Sequence, residues 1–134
     1  MVQIQTREIA LQTLEELLPN LQISDFCIDW IVNSNVTQES VSQVHSFLKN
    51  VGVENKTIAA NAQLLGKSPE EINQNYNNLR NLGLSNTNII SRISLLSMDP
   101  LKVNENYRFL KNLGLSDAKI ATQAYLLTKD PETI

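Results

Sequence analysis

Residues 99–127, DPLKVNENYRFLKNLGLSDAKIATQAYLL, are one copy of a unit that recurs at an interval of 31 residues. Gly52, Gly83 and Gly114 keep that interval, and so do Pro69, Pro100 and Pro131. Thr37, Ser68, Asp99 and Asp130 keep it as well, and each is a residue type that caps a helix start. Self-similarity at a fixed period of roughly 20–50 residues marks a stacked array, in which each unit buries its apolar face against its neighbours.

Each unit reads as two helices. In Ser68-Pro69-Glu70-Glu71, Ser68 is the N-cap and Pro69 takes the first helical position, where a missing N–H costs nothing. Glu71 is spaced to close a capping box back onto Ser68. Asp99-Pro100 and Asp130-Pro131 repeat the cap and the proline. The three glycines end the first helix, because glycine takes the left-handed conformation that terminates it at little cost. Ser85 and Ser116 then cap a second helix, with Glu54 a poorer equivalent.

The apolar spacing fits this reading. Ile72, Tyr76, Leu79 and Leu82 share one helical face, repeated by Val103, Tyr107, Leu110 and Leu113 and by Val41, His45, Leu48 and Val51. The second helix turns inward Ile89, Ile90, Ile93 and Leu96, matched by Ile120, Ala121, Ala124 and Leu127. Val53 with Ile58, Leu84 with Ile89 and Leu115 with Ile120 have the spacing of a hydrophobic staple. The expected fold is all-α: a right-stacked α-solenoid of about four helix-pair repeats.

One domain over residues 1–134 is expected, with repeats at 37–67, 68–98 and 99–129. Residues 6–36 form a degenerate capping repeat, its first helix running from Thr6 to Leu18 with Ile9, Leu11, Leu14, Leu17 and Leu18 inward. That repeat carries one arginine against five acids, the polar character that suits a terminal unit. Residues 130–134 read as a further helix start. The reading leaves two options there: a frayed end, or an array that continues and exposes Tyr125, Leu126 and Ile134 for self-association.

The 134 residues carry a net charge of −3 and are 42% hydrophobic, which suits one packed domain. No apolar run approaches the roughly 20 residues of a membrane span, and residues 1–5 lack a secretory pattern. No membrane partner is therefore expected. The single cysteine, Cys27, precludes an internal disulfide and fits an intracellular, reducing compartment, cytoplasmic or an organelle if a transit peptide was removed.

Little points to catalysis. His45, the single histidine, sits in the slot of Tyr76 and Tyr107 and reads as a packing residue. Cys27 lies in an apolar helical segment with nothing nearby to lower its pKa. Metal-ligand spacing is absent, and Gly66-Lys67-Ser68 lacks the upstream glycine of a phosphate loop. No enzyme, metal or cofactor is expected.

Polar residues held in phase remain. Lys49, Arg80 and Lys111 precede Asn50, Asn81 and Asn112, giving one cation and one amide per repeat. Stacking would set these in a line, supported by Arg92, Lys102 and Arg108 on polar faces. A cation in the last turn of a helix also meets the macrodipole favourably, so the same residues have a purely structural reading. Asn75 and Asn106 fall on an otherwise apolar face, where inward amides satisfy backbone groups of neighbouring loops.

The pattern Asp-Pro-x-x-Val-x-x-Asn-Tyr-x-Phe-Leu-Lys-Asn-Leu-Gly-Leu-Ser, with the pairs Leu64-Leu65, Leu95-Leu96 and Leu126-Leu127, resembles the repeat of the mitochondrial transcription termination factor (mTERF) family. The likeness covers residues 37–134 well and 6–36 faintly. It implies repeats of two α-helices and a short third turn, and a nucleic-acid-binding module in transcription regulation or termination. Its implied contacts here are Lys49, Arg80, Lys111, Asn50, Asn81, Asn112, Arg92 and Arg108. The family usually has a proline two residues before the leucine pair, where this chain has Ala62, Ile93 and Ala124, so plain helix is expected in the third turn. Residues 113–121 also look like a helix-turn-helix start, but recurrence in every repeat marks the motif as architectural. The alternative function is a scaffold for protein–protein interaction or self-association through the C-terminal edge.

Overall fold

In the computed structural model, which describes residues 2–129, every regular element is helical. In order these are α1 (Arg7–Leu17), α2 (Asp25–Asn33), α3 (Gln38–Asn50), α4 (Asn55–Ala60) and the 3-10 helix η1 (Ala62–Gly66). Next come α5 (Pro69–Asn81), α6 (Asn86–Ser91) and η2 (Ile93–Ser97). The last are α7 (Pro100–Asn112), α8 (Asp117–Thr122) and η3 (Ala124–Thr128). The chain divides into two compact units, residues 1–72 and 73–134.

Local capping chemistry sets the helix starts. The side chains of Thr6, Ser24, Thr37, Ser68, Ser85 and Ser116 each accept a backbone N–H two or three residues into the helix they open. Asp99 does the same for Leu101 at 2.9 Å, beside Pro100. Glu54 makes no side-chain cap, as its type implies. The Glu71 carboxylate, expected to reach back to Ser68, lies instead 3.2 Å from Lys67 Nζ, a charged donor that outcompetes a backbone amide.

The first helix of each repeat ends in one motif. Val53, Leu84 and Leu115 donate their N–H to the carbonyls of Leu48, Leu79 and Leu110 at 2.9, 3.2 and 3.2 Å. Gly52, Gly83 and Gly114 donate to Lys49, Arg80 and Lys111 at 3.1, 3.0 and 3.0 Å. This is the Schellman pattern, and it requires positive φ at the glycine. The three values are 104°, 100° and 97°. A Cβ on Gly83 would meet nothing within 4 Å, so its cost is conformational. Gly83→Ala is therefore expected to lower stability by about 1 kcal/mol in chemical denaturation.

Beyond the glycine, the structure departs from the expected plain helix. Each second helix stops after six residues, and the chain pivots at Asn61 (φ −127°, ψ 37°), Arg92 (−141°, 66°) and Gln123 (−116°, 52°). A 3-10 helix follows each pivot. No proline is needed. The bend brings Leu64 with Leu65, and Leu95 with Leu96, into the core as adjacent pairs; in the third copy Leu127 is buried and Leu126 half-buried. Asn75 and Asn106 then serve the new carbonyls: their Nδ2 groups donate to Leu96 O at 2.6 Å and to Leu127 O at 2.8 Å. In the second unit α6 packs against η3, and in the first unit α2 packs against η1.

Three local expectations are corrected at the surface. Leu11 is exposed, and Ala10, Thr13 and Leu14 form the buried side of α1, because the stripe lies one position round the helix. Leu113, one residue past α7, is 55% exposed. Ile90 is only half-buried. The N-terminal segment adds a feature without a periodic signal. Ile4 donates to Val36 O and Gln38 to Val2 O, both at 2.8 Å, and Ile4 is buried. Tyr125 is partly exposed; the expected cap at Asp130 and the exposure of Ile134 lie outside the described residues.

Candidate nucleic-acid interface

The phased cations occupy one structural position. Lys49, Arg80 and Lys111 are the next-to-last residues of α3, α5 and α7, and Asn50, Asn81 and Asn112 are the last. All six are exposed. Lys49 and Asn50 belong to the first unit and the other four to the second. At this position the carbonyl end of the helix favours a positive charge. Arg80 uses that proximity directly: Nη1 donates to Leu84 O at 3.2 Å, across the Schellman turn. A guanidinium has five N–H donors, so most of its capacity stays available to solvent or a ligand.

Lys111 is held differently. Its Nζ lies 2.9 Å from Asp117 Oδ1, and the same carboxylate accepts the Tyr107 hydroxyl. The equivalent pairs in the other repeats are His45 with Asn55, at 3.0 Å, and Tyr76 with Asn86. The ring in the middle of each first helix thus tethers the first residue of the second helix. That explains the shared slot of His45, Tyr76 and Tyr107, and it gives the histidine a positional role. In the third repeat alone the tethered residue is an acid, placed beside the cation. Arg92 stands at the second pivot, exposed, with its guanidinium carbon 5.9 Å from the centre of the Tyr125 ring. Arg108 is exposed on α7, and Lys102 is half-buried and engaged within the protein.

The cluster's electrostatics follow from these contacts. The hydrogen bond from Tyr107, then the Lys111 ammonium, hold the Asp117 carboxyl below the ordinary carboxylate value. The same bond, with some burial and the adjacent negative charge, raises the Tyr107 hydroxyl above its ordinary value. A depressed carboxyl contributes stability that is fully present above its unfolded pKa and lost as pH falls through the folded one. A raised phenol contributes stability present below its unfolded pKa and lost as pH rises through the folded one. The tether therefore acts between those limits. Tyr107→Phe is expected to move the Asp117 titration, followed by carboxyl NMR shifts, back toward the ordinary value.

Charge is divided unevenly between the units. Residues 73–134 carry seven Lys and Arg against five Asp and Glu, and residues 1–72 carry four against nine. Cys27, read as an inert buried thiol, is 5% exposed, with Sγ 3.2 Å from Gln63 Oε1. Among the described residues no helix is long and apolar enough to cross a membrane. Comparison with family models, with curated proteins and with solved structures finds no match to this chain.

Proposed function

We propose that the chain is a nucleic-acid-binding helical-repeat module of mTERF-like type, whose repeats stack as a solenoid and act in transcription regulation or termination. One observation carries the reading: the second unit holds a surplus of cations, with Arg80, Arg92, Arg108 and Lys111 all exposed on its surface. The order helix, helix, short 3-10 turn in each repeat supports it, since that is the order the resemblance implies. Phosphate contacts by Lys and Arg supply most sequence-independent affinity. Arg80 is the strongest single contact in this reading, because its intramolecular bond occupies one donor of five. Lys111 contributes less, because Asp117 competes with a phosphate for its ammonium.

The test follows from that difference. Asp117→Asn restores the residue type that Tyr76 already meets at Asn86, so the tether is kept while the competing charge is lost. Its affinity for a duplex oligonucleotide should rise several-fold at low salt. The combined change of Lys49, Arg80 and Lys111 to glutamate should abolish binding while leaving the helical circular dichroism intact, because exposed charges contribute little to the fold. Binding that survives the triple change, or is indifferent to Asp117, would overturn the assignment of these residues.

A further inference from the structure

The first unit carries a second surface of opposite character. On α2, Phe26 is 67% and Trp30 44% exposed, their ring centres 6.1 Å apart. Large aromatic side chains are unexpected at the surface of a terminal repeat that carries one arginine and five acids. Trp30 forms one wall of a cleft of about 680 Å³, bordered by the starts of α3 and α5.

The chain makes room for this ring. A Cβ on Gly66 would come within 3.0 Å of Trp30 Cδ1 and 2.8 Å of Ser34 Oγ, so a larger residue would push the serine hydroxyl and the indole aside by tenths of an ångström. The corresponding residues of the later repeats are Ser97 and Thr128. Ser34 Oγ in turn donates to Trp30 O at 2.6 Å. The aromatic wall is thus a fitted feature of this repeat.

The remaining chemistry of the cleft is acidic. Glu39, Glu70, Glu71 and Lys67 border it, and Lys67 is paired with Glu71 at 3.2 Å. Glu39 and Glu70 are exposed, so two carboxylates and an indole share the border of the cleft, in a unit with nine acids and four bases. The helix starts of α3 and α5 would favour an anion, but Glu39 and Glu70 stand in those first turns and already supply the negative charge. The occupant this chemistry fits is a flat cation. A guanidinium stacks on an indole and pairs with carboxylates in the same plane, which an ammonium does less well.

We propose that this cleft docks an arginine-bearing basic segment of a partner protein, with one guanidinium on the Trp30 indole and its neighbouring cations at Glu39 and Glu70. The inference is independent of nucleic-acid binding by the second unit. Trp30 is the single tryptophan of the chain, so its emission reports on the cleft directly. The full chain is titrated with a hepta-arginine peptide, then with hepta-lysine and with a single-stranded oligonucleotide.

The expected result is a saturable change in emission at one site per chain, several-fold tighter for arginine than for lysine. The double variant Glu39→Gln, Glu70→Gln should weaken it by about tenfold, as two exposed charge contacts allow. Trp30→Leu, followed by calorimetry and checked by circular dichroism, should weaken it several-fold while the helical signal stays. The proposal fails if the emission does not saturate with hepta-arginine, or if the glutamine variant binds equally well. It fails in favour of a second copy if emission shifts with protein concentration alone. It fails in favour of an anionic ligand if the oligonucleotide perturbs Trp30 more tightly than the peptide.

Discussion

Leu96→Ala should lower the free energy of unfolding by about 2–5 kcal/mol, the range for deleting a fully enclosed leucine side chain from a core. Leu96 is 0% exposed and sits at the end of η2, where the preceding pivot has turned it inward beside Leu95, also 0% exposed. Both members of the pair are enclosed within the 3-10 helix that follows the pivot at Arg92. Leu126→Ala, at the half-buried member of the third pair, should cost clearly less. Denaturant midpoints with unchanged slopes would establish the ranking. An effect of Leu96→Ala below that of Leu126→Ala would contradict the packing described for η2.

The second large effect is at Asn75. Its Nδ2 donates to Leu96 O at 2.6 Å and the residue is 4% exposed, so Asn75→Ala leaves a buried carbonyl without its donor and opens space beside it. The expected cost is roughly 1–3 kcal/mol for the orphaned group. Asn75→Val fills more of the space and should cost less than Asn75→Ala; valine is what the first repeat has at this place, in Val44. Asn106 supplies an internal comparison. It donates to Leu127 O at 2.8 Å, but its own Oδ1 is buried without a hydrogen-bond partner. Asn106→Val removes that unsatisfied acceptor along with the donor, so it should be milder than Asn75→Val. Equal costs at the two sites would show that the orphaned Oδ1 carries no penalty.

Features governed by neighbouring residues were legible before the structure. The serine and threonine caps, Asp99-Pro100 and the positive φ of Gly52, Gly83 and Gly114 each follow from side-chain chemistry within a few positions. The inward amides at Asn75 and Asn106 were legible as partners of backbone groups, because a polar residue on an apolar stripe needs one. The pivots were not. Asn61, Arg92 and Gln123 share no residue type, and the proline that would signal a turn is missing. The bends accompany the enclosure of Leu64 with Leu65 and of Leu95 with Leu96, packing that acts through space.

The same reason hid the contact of Trp30 with Gly66, 36 positions apart, and the pairing of Val2–Ile4 with Val36–Gln38. Of the candidate contacts, the positions of Lys49, Arg80 and Lys111 at helix ends were legible from their phase. The carboxylate that engages Lys111 was not foreseen. It breaks the asparagine pattern of Asn55 and Asn86, and that departure was the signal available in the sequence.

The reading of the chain as a nucleic-acid module stands or falls on the salt dependence of its binding. A fluorescent duplex oligonucleotide is titrated with the wild-type chain from about 20 to 200 mM salt, and log K is plotted against log salt concentration. Contacts from Lys49, Arg80 and Lys111 predict weak, largely sequence-independent binding with a slope of about −3, by the rule of roughly −0.9 per neutralised phosphate. Arg80→Glu alone should remove about one unit of that slope. Absence of salt-sensitive binding at the lowest ionic strength, to duplex or single strands, would contradict the account and leave the chain a protein-binding scaffold.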